Sequence, residues 1–202
     1  MTHIQKLIDV KKTNSFDECI KIAIDRFVEN FDFKIRQLLH NFPADYVNPD
    51  GSKFWSGSKR APQVISYDSS NDLHLLFVDS YARIIAEALG IKVDEKHNSS
   101  YTRNVSSKII IPQFQPKKVF IKANENDTIS GDFEDVEKEE VKKISVLMNQ
   151  LSLCDKNLLN PTHFKPTEFE KDDDTNHHID FIHAASNLRA NNYRIAEVIK
   201  SY

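Results

Sequence analysis

Residues 15–43 read SFDECIKIAIDRFVENFDFKIRQLLHNFP, and this stretch predicts the first long helix of the protein. Its apolar residues recur every three or four positions, which is the spacing of one buried stripe on a long helix. Ser15 and Glu18 match a capping box, in which the serine side chain accepts a hydrogen bond from a free backbone amide. Pro43 disfavours a helical conformation at Phe42, so the pattern predicts that the helix ends there.

The two cysteines of the chain, Cys19 and Cys154, form neither a metal-type spacing nor a disulfide framework. Cys19 falls on the apolar stripe of the first helix. A small thiol in that position is typical of a buried core residue, and we expect it to be one rather than a nucleophile.

Residues 43–72 predict a long connection, because they are rich in Pro, Gly, Ser, Asn and Asp. Phe54 and Trp55 stand side by side in it, and we expect them to pin the loop onto the helical core. Lys59 and Arg60 follow. Two hypotheses remain open for this basic pair: contact with an acidic partner, or an ordinary solvated loop.

A second helix is predicted over about residues 72–89, with Asn71 or Asp72 as its cap and Gly90 as its left-handed C-terminal residue. His74 lies beside its apolar stripe, with no ligand-type residue nearby in the sequence. We expect His74 to be an ordinary surface or packed histidine.

The middle of the chain predicts less regular structure. Residues 109–111 and 119–121 indicate short strands or extended segments. Eight acidic residues stand against three lysines between Glu125 and Lys143, so we expect a mobile acidic loop, or a solvated helix start, over about 124–143. A further helix is predicted around 139–153. The fold class is therefore mainly α with a few short strands.

The last element begins with three aspartates at 172–174 ahead of a helical pattern, where carboxylates complement the helix dipole and offer cap oxygens. Small residues at 184–186 would let another element approach closely. His177, His178 and His183 lie beside the aspartates but are not spaced by three or four. Ligands on one helix need that spacing to share a face, so we predict no metal site.

Composition weighs against several classes of function. The net charge of −3 gives no electrostatic reason to expect nucleic acid or an anionic membrane as a partner. No stretch approaches the roughly 20 apolar residues that cross a bilayer, so we expect a protein that does not enter the membrane. The sequence has neither a Gly-x-Ser-x-Gly elbow nor a glycine-rich phosphate loop.

Three blocks carry a resemblance to a known family. They are IRQLLHNFP at 35–43, FWSGSKRAP at 54–62 and FEKDDDTNHHIDFIHAASNLRANNYRI at 169–195. Together, and in this order, with IIPQF at 110–114 between them, they resemble the second catalytic-cysteine half-domain of ubiquitin-activating enzymes. The resemblance implies that residues 1–195 are part of this helical half-domain. Residues 196–202 would then begin the return to the adenylation domain of a longer parent chain.

The resemblance also implies a chemistry for the parent. Such an enzyme uses ATP and magnesium to adenylate the C-terminus of ubiquitin. Its catalytic cysteine then displaces AMP to form a thioester, which passes to a conjugating enzyme. These are ATP-dependent ligases of the ubiquitin conjugation pathway, expected in the cytoplasm and the nucleus. The implied partners are ubiquitin, ubiquitin-conjugating enzymes and the parent's own adenylation domain.

Few of the family's site residues fall on this sequence. The family's Cys-Thr-Leu block does not occur in it, so we expect the nucleophile to lie upstream and this piece to be an inactive scaffold without its own cofactors. An acidic residue with a supporting role near the cysteine matches Glu125, or Asp127 if the alignment shifts. Glu125 could equally just open the acidic loop. The competing functional hypothesis is a stand-alone helical protein-binding module without catalysis.

Overall fold

The protein is seen in a computed structural model that describes residues 3–117, 133–152, 169–170, 172–173 and 177–199. Helices dominate these residues, as predicted. They are α1 His3–Thr13, α2 Phe16–Phe27, a π-helical segment Val28–Phe33, α3 Lys34–Asn41, α4 Asp72–Ala88, α5 Ser99–Ser106, α6 Phe133–Ser152 and α7 His178–Asn192.

Helix α2, the π-helical segment and α3 follow one another without a break from Phe16 to Asn41, which confirms the long helix and its end before Phe42. The prediction of a capping box is wrong: Ser15 is the N-cap residue, but its side chain makes no capping hydrogen bond. Helix α1 ends only two residues earlier, at a turn where Asn14 takes a positive φ of 49°. This short junction sets the direction of the backbone at Ser15.

The π-helical segment is a feature that periodicity alone did not predict. Its wider turn keeps Phe27 and Phe31 in the core and also buries Asp32, which is 6% exposed. The Asp32 carboxylate accepts a hydrogen bond from Ser66 Oγ at 2.8 Å and pairs with Arg36 on the next turn. The segment therefore ties the helix to the loop that leads to α4.

Helix α4 begins and ends as predicted. Asn71 is the cap, because its side chain accepts hydrogen bonds from the amides of Leu73 and His74. Gly90 has a φ of +64°, the left-handed conformation that a glycine takes without strain. His74 is buried, and its Nδ1 accepts from the Asp68 amide at 3.1 Å. Burial lowers the pKa of His74, as expected of a packed, neutral histidine.

The hydrophobic core lies between α2, α4 and α7. Phe27, Phe31 and Phe77 contact one another edge to face, with ring centroids 5.2 to 5.7 Å apart. Helix α7 contributes Ala184 and Leu188, both fully buried. The prediction of a close approach is thus confirmed at Ala184, whereas Ser186 faces solvent.

The two short helices α1 and α5 were not predicted. Among its described side chains, helix α1 buries Ile8 and Val10 and packs Leu7 on the core. Helix α5 is mostly polar: its Tyr101 and Val105 pack on the core, and the Thr102 hydroxyl donates a hydrogen bond of 2.5 Å to Asp79 on α4. Elements held by one or two buried residues leave little periodic signal.

No strand occurs in the described ranges, where a single antiparallel bridge joins Val47 and Lys53. The extended run 109–111 alternates as a strand would: Ile109 and Ile111 pack on the core while Ile110 is 92% exposed. No strand among the described residues pairs with it. Residues 119–121 lie outside the described residues.

Helix α6 begins at Phe133, six residues before the predicted start at Glu139. Residues 133–143 of the predicted acidic loop are therefore helical, and 124–132 lie outside the described part of the chain. The described side chains of α6, at 141–149 and 152, are exposed, and α6 packs against none of the other helices named above. Glutamate and lysine side chains three and four residues apart stabilise a helix of this kind, which packs on no other described helix.

Helix α7 has a different N-terminus from the predicted one. Its N-cap residue is His177, with a φ of +59° and no side-chain cap. Asp172 and Asp173 therefore do not cap it, and Asp174 lies outside the described residues. The acidic residue in the first turn of the helix is Asp180, which complements the helix dipole in their place.

Candidate functional site

Cys19 lies in the centre of the core, as predicted. Its side chain is fully buried, and Sγ donates a hydrogen bond of 3.6 Å to the Ser15 carbonyl oxygen. Burial, and to a smaller extent the Glu18 carboxylate, raises the pKa of the Cys19 thiol to about 12. A thiol in this state is neutral at physiological pH and is not a nucleophile.

The predicted auxiliary acid Glu125 and its alternative Asp127 lie outside the described residues, as does the second cysteine, Cys154. The structure does place two of the three histidines in packing roles. His178 is buried, and its ring stacks on that of Phe169 with centroids 5.5 Å apart. His183 Nε2 lies 3.3 Å from Asn187 Nδ2. Within the described ranges, no three His, Cys, Asp or Glu side chains gather as a metal site would require.

The Phe54–Trp55 loop is anchored on the end of α3, and not on the helical core as the sequence predicts. Phe54 is 7% exposed and stacks on Phe42 with ring centroids 4.4 Å apart. The Trp55 indole meets Phe54 edge to face and donates from Nε1 to the Phe42 and Pro43 carbonyl oxygens at 3.1 and 3.0 Å. The loop therefore closes back on the end of α3 and forms a rigid aromatic platform.

An open groove of about 810 Å³ lies beside this platform. We call it the aromatic groove: it is lined by Leu38 and Phe42 at the end of α3, by residues of 54–60, and by Tyr193 and Ile195 after α7. Lys59 and Arg60 form its basic rim, with Lys59 Nζ 4.0 Å from the centroid of the Phe54 ring. The groove thus has an apolar floor and a positively charged edge.

Asn192, in the third sequence block, contacts Gln63, which directly follows the second block. Its side chain is fully buried, and Nδ2 donates to the Phe31 carbonyl at 3.1 Å and to the Gln63 carbonyl at 2.8 Å. The Asn192 carbonyl accepts from the Gln63 amide at 2.6 Å, and its Oδ1 accepts from Arg189 at 3.1 Å. One side chain therefore connects the end of α7, the π-helical segment and the loop beyond the groove.

Asn187, one helical turn earlier, holds the chain that leaves α7. Its Nδ2 donates to the Val198 carbonyl and its Oδ1 accepts from the Val198 amide, both at 2.9 Å. A buried primary amide thus pairs with both backbone groups of one residue, as a neighbouring strand would. The segment 195–199 is fixed against the helix, while Ile195, Val198 and Ile199 are 52%, 72% and 87% exposed.

Sequence reasoning missed the roles of Asn187 and Asn192. The signal was their position: asparagine is a poor residue inside a helix, because its side chain competes for backbone hydrogen bonds. The presence of Asn187 and Asn192 in the helical part of the third block indicated that these side chains have a role other than helix formation. Which backbone groups they meet depends on chain segments more than 100 residues away for Asn192.

The described residues hold one another through hydrogen bonds and ring contacts, which is chemistry that positions chain segments. The one cysteine among them is buried, and their organised surface feature is the aromatic groove with its basic rim. None of the described helices is long and apolar enough to cross a membrane. The arrangement suits a scaffold that presents a defined surface.

Comparison with known proteins agrees with the three sequence blocks. The family model for the SCCH domain of ubiquitin-activating enzyme matches residues 1–201. The chain is 41% identical over 196 residues to ubiquitin-activating enzyme E1 1 of Schizosaccharomyces pombe, covering 96% of this chain and 19% of that protein. It is 40% identical over 193 residues to ubiquitin-like modifier-activating enzyme 1 of Dictyostelium discoideum, covering 92% of this chain and 18% of that protein.

The human ubiquitin-like modifier-activating enzyme 1 is 34% identical over 197 residues, covering 95% of this chain and 18% of that protein. The chain thus spans less than a fifth of the length of these curated relatives. The match extends over all three sequence blocks and over the helices that carry the core. The chain therefore belongs to the ubiquitin-activating enzyme family, in which it corresponds to the SCCH domain.

Proposed function

We propose that this chain is the scaffold of the second catalytic-cysteine half-domain in an enzyme that activates ubiquitin. The parent would adenylate the C-terminus of ubiquitin with ATP, transfer it to a catalytic cysteine as a thioester and hand it to a conjugating enzyme. The observation that carries the proposal is the family match over residues 1–201 in a chain whose described cysteine, Cys19, is sealed in the core.

The nucleophile of this reaction must be a thiolate that substrate can reach. A thiolate attacks the acyl adenylate readily and is a good leaving group in the next transfer. Cys19 meets neither requirement, since it is fully buried and its thiol pKa is raised to about 12. The family's Cys-Thr-Leu block surrounds neither Cys19 nor Cys154, the second cysteine of the sequence. We therefore place the nucleophile in a part of the parent outside this chain, and we expect this chain alone to form no thioester.

ATP and magnesium do not fit the described residues. The sequence contains four glycines and no glycine-rich phosphate loop, and the described residues gather no cluster of carboxylates suited to magnesium. We assign both to the rest of the parent. The proposed partners are ubiquitin, conjugating enzymes and the parent's adenylation domain, acting in the cytoplasm and the nucleus.

A thioester assay tests the proposal directly. The parent enzyme, with ubiquitin and ATP, is expected to give a ubiquitin adduct that is cleaved by reducing agent, and the 202-residue chain to give none. Cys19→Ala in the parent should leave the adduct intact. A reducible ubiquitin adduct mapped to Cys19 or Cys154 would overturn the assignment.

Glu125 and Asp127 are the proposed positions for an auxiliary carboxylate that assists proton transfer or orients the incoming groups. Glu125→Gln and Asp127→Asn in the parent separate the two. Substitution of the functional residue should lower the rate of thioester formation roughly 100-fold and remove the acid limb of the pH profile of that rate. The other variant should keep a rate within about twofold of the parent's. If both variants keep the full rate and the same pH profile, neither residue has this role.

A further inference from the structure

The aromatic groove differs from the rest of the described surface in combining organised aromatic rings with charge of one sign. Its floor is preformed, because Phe42, Phe54 and Trp55 are fixed by ring contacts and by the two Trp55 hydrogen bonds. Rigid aromatic side chains are typical anchors of protein interfaces, since little conformational entropy is lost when a partner covers them.

Among the described residues, no carboxylate pairs with the charge at the edge of the groove. Its lining residues include Lys59 and Arg60 and no carboxylate. Arg60 is exposed and forms no ion pair with the residues that the structure describes. A complementary occupant therefore brings an apolar side chain to the floor and a carboxylate to the rim, where a guanidinium can bind it with two hydrogen bonds.

The groove is continuous with the chain that leaves the domain. Ile195 lines it, and Asn187 fixes the following segment through the Val198 backbone. That segment exposes Val198 and Ile199 by 72% and 87%. Adjacent exposed apolar side chains of this kind mark a surface that another structure covers. The curated relatives are about five times as long as this chain, so the rest of such a polypeptide could cover this surface.

We propose that the aromatic groove is an intramolecular docking surface for the part of the parent enzyme outside this domain. A segment of that part places an apolar side chain against Phe54 and Trp55 and a carboxylate on Arg60. This inference rests on the proposed function, because it requires the parent to be a multidomain enzyme. Of the two hypotheses for Lys59 and Arg60, this proposal takes contact with an acidic partner.

Site-specific photo-cross-linking in the full-length parent tests this docking. A benzophenone amino acid replaces Ser58, which lines the groove, and Ser107, an exposed residue outside it, serves as the control. The expected product is an intramolecular cross-link from position 58 to a peptide outside this domain that contains apolar and acidic residues. Cross-linking to a second copy of the enzyme, to ubiquitin or to an added conjugating enzyme, or no cross-link at all, would overturn the proposal. So would the same peptide captured from position 107.

Charge reversal gives an independent measurement. Arg60→Glu is expected to lower the yield of the intramolecular cross-link about tenfold, Arg60→Lys to lower it less, and reversal of the captured carboxylate to restore it. An unchanged yield in Arg60→Glu contradicts the proposed ion pair. Thioester formation by the unmodified parent is measured separately. A parent that forms no thioester but gives the cross-link refutes the proposed function alone, and one that forms the thioester without the cross-link refutes the docking alone.

Discussion

At the scale of single residues, Cys19 illustrates how burial decides the chemistry of a thiol. The thiolate would lose its hydration in the core, so the neutral form is favoured and the thiol pKa rises to about 12 from a usual value of 9.0. Between these two values the folded state keeps a proton that the unfolded state has lost. The contribution of Cys19 to stability is therefore fully present below about pH 9 and is lost as pH rises toward 12.

Alkylation kinetics check this at Cys19. In the folded protein at pH 8, iodoacetamide should modify Cys19 at least about 100-fold more slowly than an exposed thiol, because both access and thiolate are lacking. After denaturation the rates should converge. Peptide mapping by mass spectrometry measures the modification at this one position. Rapid native labelling of Cys19 would contradict the buried assignment.

Removal of the Asn192 side chain should lower the free energy of unfolding by more than its size alone suggests. Asn192→Ala removes the side-chain donor to the buried Gln63 carbonyl and one of the donors to the Phe31 carbonyl, which keeps the Ile65 amide. We therefore expect the free energy of unfolding to fall by about 1–3 kcal/mol. Its neighbour Asn191 bonds the exposed Glu197 instead, and Asn191→Ala should change stability by less than about 0.5 kcal/mol. Urea unfolding of the two variants gives the comparison. Equal effects would mean that Asn192 does not join the segments.

At the scale of elements, the packing of α7 depends on one small side chain. Ala184 is fully buried where α7 meets the core, whereas Ser186, two residues on, faces solvent. Ala184→Leu should destabilise the fold by about 1–3 kcal/mol through overpacking, and Ser186→Leu should stay within about 0.5 kcal/mol. Thermal unfolding of both variants measures the difference. A tolerated Ala184→Leu would show that α7 can move away from the core at little cost.

At the scale of the whole molecule, stability should be distributed unevenly. Helices α2 and α4 enclose the core, whereas the described side chains of α6 are exposed and α6 packs on no other described helix. Local opening of α6 therefore needs no disruption of the core. Hydrogen exchange followed by mass spectrometry should show α6 exchanging within minutes and the central amides of α2 and α4 exchanging last. Equal protection of α6 and α4 would show that α6 is covered.

Much of the fold could be predicted because the largest helices carry their own signals. The apolar spacing of 15–43 and 72–89, the Asn71 cap and the left-handed Gly90 all depend on neighbours within a few residues. The Phe54–Trp55 anchor was predictable for a related reason, since two adjacent aromatic residues in a loop need a surface to cover them. Helices α1 and α5 were missed because they bury only a few residues each.

The sequence by itself determined the helical class, the burial of Cys19 and the family, because these follow from local periodicity and from long blocks of residue identities. The aromatic groove and the amide contacts of Asn187 and Asn192 became visible only in the tertiary structure. The groove joins residues from 38 to 195, and Asn192 reaches carbonyls at 31 and 63. Such contacts bring distant segments together through the packing of α2, α4 and α7. No local pattern encodes them, because each depends on where the rest of the chain folds.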